Sequence, residues 1–438
     1  MTSIPALLPQ GAGHHFVFYG DACSGVPGAP HEALFARVNA VVRRLDPDPE
    51  FIVFPGDEII GLTPDPDTLR AQWRHWFEVE MGWLDRARVP LYHATGNHTV
   101  FDAGSEAVFA EVMAHLPRNG PPGQAGLSYV VRRGDLALVF VNTLWSGLGG
   151  EGHIELDWLD RVLAEHADAH WRLVVGHHPA WPVNGYVGSY QRCIGDGYVA
   201  PFWELLVRHG VTAYLCSHIL AFDVQCHRGV LQITSAGAGT AHRMPEGVEY
   251  LHCVQMALDA GGLRYRVLDD SGVVREALSW PPGAMPEAAA LGPGLQARAW
   301  PAAPRRLLLR LSGTPGDAPR RVLLMAAPDS GPSPVRLEIV GPDGQLTAVL
   351  EPQPGRSPHR WFGPKLAGRD AFDIEVLLHA GMGPGGLLWR AHGADGWTGF
   401  HGVSAWGPER IAWPERIRVG DAEATEALHV RAAYAMTD

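Results

Sequence analysis

Six residues in the first half of the chain belong to the types that hold a metal or move a proton: Asp21, Asp57, Asn97, His98, His177 and His218. Asp21 follows a glycine in "YGDAC", Asp57 in "PGDEI", Asn97 and His98 in "TGNHT" and His177 in "VGHHP", while His218 lies inside "YLCSHIL". Carboxylate, amide oxygen and imidazole together make a donor set for divalent transition metals. Singly, each residue has a plainer reading. An aspartate or asparagine after glycine is a common turn residue, and a histidine in an apolar run is usually a hydrogen-bonded core residue. The types carry chemistry only if the fold gathers them.

The preceding runs supply that placement. "HFVFYGD", "FIVFPGD", "VPLYHATGNH", "WRLVVGHHP" and "VTAYLCSHI" read as strands that deliver these residues at or near their ends. Between them, helical spacing marks "HEALFARVNAVVRRL", a Trp-rich stretch over about 66–86, a segment near 104–116, "ELDWLDRVLAEHA" and "PFWELLVRHG". "LSYVVRRGDLALVFVNTL" reads as a hairpin, and "FDVQCHRG", "VLQITSAGAG", "YLHCVQMAL" and "LRYRVLDD" as further strands. In α/β folds, ligands bind outside the carboxyl ends of strands. The six residues are therefore expected in one crevice.

The length of 438 residues calls for two domains. The α/β pattern runs over 12–272, a Pro/Gly/Ala-rich stretch over 273–304 reads as a linker, and 305–438 shows short strands with turn punctuation, as in an all-β sandwich. "GPDGQ" marks a hairpin there. A net charge of −12 without a basic patch speaks against nucleic acid as a partner. No run approaches the length of a membrane span, and "MTSIPALLPQGAGHH" lacks the parts of a secretory signal. Five cysteines without C-x-x-C spacing fit a reduced, cytoplasmic protein.

The series strand-GD, strand-GD, strand-GNH, strand-GHHP resembles the calcineurin-like metallophosphoesterases, which include the purple acid phosphatases, over roughly residues 14–270. The glycine-rich "SAGAGT" is similar to that family's strand after its last histidine motif. The resemblance implies a four-layer α/β/β/α sandwich, hydrolysis of a small-molecule phosphoester, and two divalent metals bridged by a carboxylate and a hydroxide. Carried over, Asp57 is the bridging carboxylate, Asn97, His177 and His218 complete one metal's shell, and His98 steadies the phosphoryl oxygens or protonates the leaving group. Asp21 remains for the other metal or for placing the attacking water. That second site departs from the family: Cys23 and Leu220 stand where histidines are expected, Ser217 replaces a glycine, Thr99 an acidic residue, and Ile60 occupies the tyrosine position of the purple variant.

Cys23 admits three roles: a thiolate ligand, an inert filler, or a nucleophile beside His98 or His218. One or two ions follow, with Mn, Fe, Zn and Ni all suited to the donors. The expected activity is a metal-dependent phosphoesterase with an atypical, mononuclear or weakened site; the alternative is a degenerate domain kept for binding or assembly. His178 and Glu58 are expected to hydrogen-bond rather than ligate. "WPVNGYVGSY", with Trp181, Asn184, Tyr186 and Tyr190, reads as a segment lining the site or as a plain surface loop, and Trp389, Trp397, Phe400 and Trp406 as core residues in preference to exposed rings that stack on sugars.

Overall fold

The computed structural model describes residues 2–182, 193–240 and 250–281, then residues 283, 285–291, 294–297 and, from 306 onward, the strands given below. Contacts divide the chain into two compact units, residues 1–223 with 230–281, and residues 224–229 with 282–438. Up to residue 140 the elements are β1 (Ile4–Pro5), β2 (His14–Phe18), α1 (Pro30–Val42), β3 (Leu45–Asp46), β4 (Phe51–Phe54), α2 (Pro66–His75), β5 (Leu91–His93), α3 (Ala103–Val112), β6 (Tyr129–Arg133) and β7 (Leu136–Phe140). They continue with α4 (Leu156–Glu165), β8 (Trp171–Val175), α5 (Asp196–Arg208), β9 (Ala213–Cys216), β10 (Phe222–His227), β11 (Val230–Ser235), β12 (His252–Asp259), β13 (Gly262–Asp269) and β14 (Val274–Trp280).

Two six-stranded sheets result, ordered β14-β13-β12-β2-β4-β5 and β10-β11-β9-β8-β7-β6. Strands β2, β4 and β5 are parallel, as are β7, β8, β9 and β11. Strand β4, Phe-Ile-Val-Phe, is buried at every position, as parallel strands covered on both faces must be. Aromatic rings join the sheets face to face: Tyr92 lies 6.1 Å from Phe140, and Phe222 5.4 Å from Tyr265. Outside, α4 and α5 lay Trp158, Leu159, Phe202, Trp203 and Leu206 against Val174 and Tyr214, while α1 covers β12 and β13. The expected four layers are present.

Two elements differ from the expectation. The Trp-rich helix ends at His75 and widens into a π-helical turn over Trp76–Glu80. The wider turn lets two consecutive aromatics, Trp76 and Phe77, both reach the core, where they meet Phe35, Phe54 and His93. Residues 274–280, within the stretch expected as linker, instead pair with β13 as the edge strand β14.

The second unit contains β15 (Ala289–Leu291), β16 (Gly294–Ala297), β17 (Arg306–Gly313), β18 (Arg320–Met325), β19 (Val335–Val340), β20 (Gln345–Leu350), β21 (His359–Lys365), β22 (Phe372–His379), β23 (Gly386–Ala391), β24 (Gly399–Gly402), β25 (Arg416–Val419) and β26 (Leu428–Ala435). They form two six-stranded sheets, β15-β26-β17-β22-β23-β24 and β16-β25-β18-β19-β20-β21. β15 and β16 also fall within the stretch expected as linker. Val340 pairs with Gln345 where "GPDGQ" marks a hairpin, and no helix occurs among the described residues of this unit. Trp389 and Phe400 lie on the paired strands β23 and β24; the side chains of that aromatic group, with Trp397 and Trp406, fall outside the described residues.

Candidate metal centre

The chain reverses sharply where β2, β4 and β9 end. Asp21, Cys23, Asp57 and His218 have φ values of 61°, 43°, 59° and 70°, in the left-handed region that side-chain-bearing residues rarely adopt. Such a conformation costs of order 1–3 kcal/mol per residue and persists where the surroundings over-determine it, as at functional sites. Two glycines let the loops close on one another. A Cβ on Gly56 would lie 2.7 Å from His177 Nδ1, and one on Gly96 would collide with the Asp57 carboxylate.

His177 is the hub. Its Nδ1–H donates to the carbonyl of Pro55 at 2.9 Å, which turns Nε2 toward the other candidates. Nε2 lies 3.0 Å from Asn97 Oδ1, 3.0 Å from His218 Nδ1 and 3.3 Å from Asp57 Oδ2. All four residues are buried. Electron-rich atoms from four separate loops thus crowd one point and need a shared cation. Burial alone would keep His177 neutral, but the charge of Asp57 outweighs it and lifts the imidazole to about 9. Asp57 shows the reciprocal effect: burial opposes its charge, yet His177 and His98 hold it below the usual carboxylate range. A proton is one such cation, and a divalent metal fits the same donor set.

His98 is tied to the same carboxylate. Its backbone N–H donates to Asp57 Oδ1 at 2.8 Å, and its Nδ1–H to the carbonyl of Ile60 at 2.7 Å, which fixes the ring's tautomer. Thr99, where an acidic residue was expected, closes the turn by accepting the Gly96 N–H at 2.9 Å.

Around Asp21 the departures have visible consequences. Its Oδ2 takes the Ser217 hydroxyl and, at 3.0 Å, the His218 N–H. Burial, followed by the nearby charge of Asp57, raises its carboxyl to about 6. The glycine-rich segment after β11 folds over this loop, with the Ala238 N–H on Gly20 O and the Thr240 N–H on Asp21 O, each at 2.9 Å. Leu220 is buried and offers no donor. Ligand atoms of Cys23, Asp57 and His98 lie within 4.8 Å of one another, as do those of Asp21, Asp57 and His177. Burial, reinforced by Asp57 and Asp21, pushes the Cys23 thiol well above its ordinary range.

Supporting residues emerge that no motif announces. His31 Nδ1–H donates to Cys23 O at 2.8 Å, and Glu80 Oε1 accepts the Ser24 hydroxyl at 2.7 Å and the Gly25 N–H at 3.0 Å. His178 spends Nδ1 on Thr143 at 2.9 Å and Nε2 on Glu151 at 3.0 Å. Glu58 packs beneath Asp57 with Oε1 2.7 Å from His93 Nδ1, both residues fully buried. Burial raises the Glu58 carboxyl and lowers His93, so the pair is neutral overall. Trp181 is half-buried, with its ring 5.8 Å from Trp203; Asn184, Tyr186 and Tyr190 lie outside the described residues. The five cysteines are free, and no helix among the described residues is long and apolar enough to cross a membrane.

The family model for calcineurin-like phosphoesterases matches residues 14–222. This stretch is similar to the calcineurin-like phosphoesterases. Tartrate-resistant acid phosphatase type 5 of the rabbit, Oryctolagus cuniculus, is 27% identical over 241 residues, 48% of this chain and 70% of that protein. Its counterpart in the rat, Rattus norvegicus, is 25% identical over 224 residues, 46% of this chain and 65% of that protein. Purple acid phosphatase PPD1 from yellow lupin (Lupinus luteus) seeds superposes with a TM-score of 0.46 at 14% identity, over 61% of this chain and 54% of that one. The matched stretch therefore holds every candidate ligand, and the strands from β15 onward lie beyond it.

Proposed function

We propose that the phosphoesterase unit hydrolyses small-molecule phosphoesters with a divalent metal held by Asp57, Asn97, His177 and His218. The convergence of Asn97, His218 and Asp57 on His177 Nε2 carries this reading. When bound, the metal would supply Lewis acidity toward a phosphoryl oxygen and a water of lowered pKa. The remaining work falls to the chain. Pro55 and Ile60 fix the tautomers of His177 and His98. Asp21, held by Ser217 through Oδ2, orients the attacking water and takes its proton on Oδ1, while His98 gives a proton from Nε2 to the departing oxygen as the water oxygen bonds phosphorus and the ester P–O bond breaks.

Serine at 217 and leucine at 220 favour one strongly held ion over two, because the Ser217 hydroxyl occupies Asp21 Oδ2 and Leu220 is apolar. The same observation favours a second reading, a degenerate unit retained for binding or assembly. Elemental analysis of the purified chain separates the two: near-stoichiometric metal supports the enzyme, and none supports the binding module. His218→Ala is expected to abolish both metal content and hydrolysis of an aryl phosphate. Unchanged turnover in that variant would reject the enzyme reading. Five unpaired cysteines support a reducing, cytoplasmic setting, and we read the antiparallel sheets of the second unit as a β-sandwich.

A further inference from the structure

We propose that Leu62 and Phe101 form an apolar lip beside His98 that selects phosphoesters with an apolar leaving group. The inference rests on the phosphoesterase reading and names its substrate class. Among the described residues, five large apolar side chains are exposed, and two of them, Leu62 at 55% and Phe101 at 39%, lie on the loops that carry Asp57 and His98. A single exposed leucine is ordinary. Two on adjoining loops at one histidine are not.

The loops are fastened together at that histidine. His98 Nδ1–H donates to Ile60 O at 2.7 Å, and the Leu62 N–H donates to His98 O at 3.0 Å. Gly61 presses so closely on the same carbonyl that any Cβ would collide with it. Leu62 itself has φ 51°, a conformation leucine rarely adopts. Neither backbone preference nor core packing explains a leucine there. Phe101 is held by its own N–H donating to Ser105 Oγ at 2.9 Å.

Charge supports the same class. Residues 46–69 and 89–117 contain no lysine or arginine, while Asp65, Asp67 and Asp102 are acidic. Nothing on these loops would pair a second phosphate, so polyphosphate leaving groups are disfavoured. The group attached to the oxygen that His98 protonates departs past Leu62 and Phe101, and an alkyl or aryl group gains by covering them.

Hexyl and ethyl phosphate share leaving-group acidity but differ by four methylenes. The full chain is expected to show kcat/KM at least about tenfold higher for hexyl phosphate. In Leu62→Asn/Phe101→Ser, where asparagine tolerates the left-handed backbone, that ratio is expected to fall to within about threefold. Equal kcat/KM for the two esters in the native chain, a ratio untouched by the double variant, or a preference for pyrophosphate would overturn the lip. If no ester is turned over, the phosphoesterase reading fails separately, and calorimetry with hexylphosphonate against ethylphosphonate decides the lip. Tighter hexylphosphonate binding that the double variant loses supports it, and equal binding overturns it.

Discussion

His177 depends on glycines as much as on its ligand partners. Gly96→Ala would drive a methyl into the Asp57 carboxylate and backbone nitrogen. Displacing groups that orient ligands typically costs 10–100-fold in metal affinity. A loss in that range, read by competition with a chelator, is expected, together with a lower melting temperature. Cys23 separates its three roles by reactivity. Burial with two carboxylates keeps the thiol protonated, so the native chain is expected to resist iodoacetamide at Cys23 at pH 8. Rapid labelling there would favour the nucleophile. Asp21, Asp57, Asn97 and His177 were legible because each follows a glycine at a strand end, a local signal, and His98 and His218 because they lie in the same strand-end runs. Ser217 on Asp21, His31 on Cys23 and His93 beneath Glu58 were not, because each contact joins residues at least eight positions apart through packing alone.

At the scale of elements, the strands were readable because parallel strands buried on both faces are unbroken apolar runs, as Phe51–Phe54 is. The π-helical turn was not, since tertiary demand for both Trp76 and Phe77 overrode the helical period. Strand β14, with its exposed start, carries little apolar signal and gains its place by pairing with β13. The ends of the sheets opposite the candidate ligands are joined by charge: His14 at the start of β2 meets Glu50 at 3.0 Å and Asp135 at 2.8 Å, and Arg133 meets Glu50 at 2.7 Å. The Glu50 hydrogen bond raises His14 against the effect of burial. His14's contribution to stability is therefore complete below its unfolded pKa of about 6.5 and lost as pH rises through the higher folded value. Glu50 and Asp135 are lowered, Glu50 despite burial and Asp135 chiefly by His14; their share persists above about pH 4 and is lost in acid. His14→Gln should thus depress the melting temperature more at pH 6 than at pH 9, as calorimetry at both values would record. An equal drop at both would show that the ring acts through packing.

For the whole molecule, the sequence conveyed that two bodies exist, through length and the shift from α/β alternation to short strands. It did not convey where they part, because a strand such as Ala289–Leu291 is too short for its periodicity to stand out from a Pro/Gly/Ala-rich stretch. Every candidate ligand falls in the first unit. Saturating metal at about a hundred times its dissociation constant would stabilise that unit by roughly 2.7 kcal/mol. Scanning calorimetry with and without chelator is expected to show two transitions of which one moves. If both move together, the units unfold as one and the division has no thermodynamic meaning.

Asp21 and His218 are 197 positions apart in the chain yet joined by a hydrogen bond. On the ribosome, Asp21 emerges long before its partner is even translated, a delay on the order of tens of seconds. During that interval, nascent Asp21 and Asp57 lack the His218 imidazole that completes the candidate donor set. On the proposed reading, a complete donor set exists only once residue 218 has left the tunnel, and a stalled or truncated translation product ending before it would be expected to hold no ion.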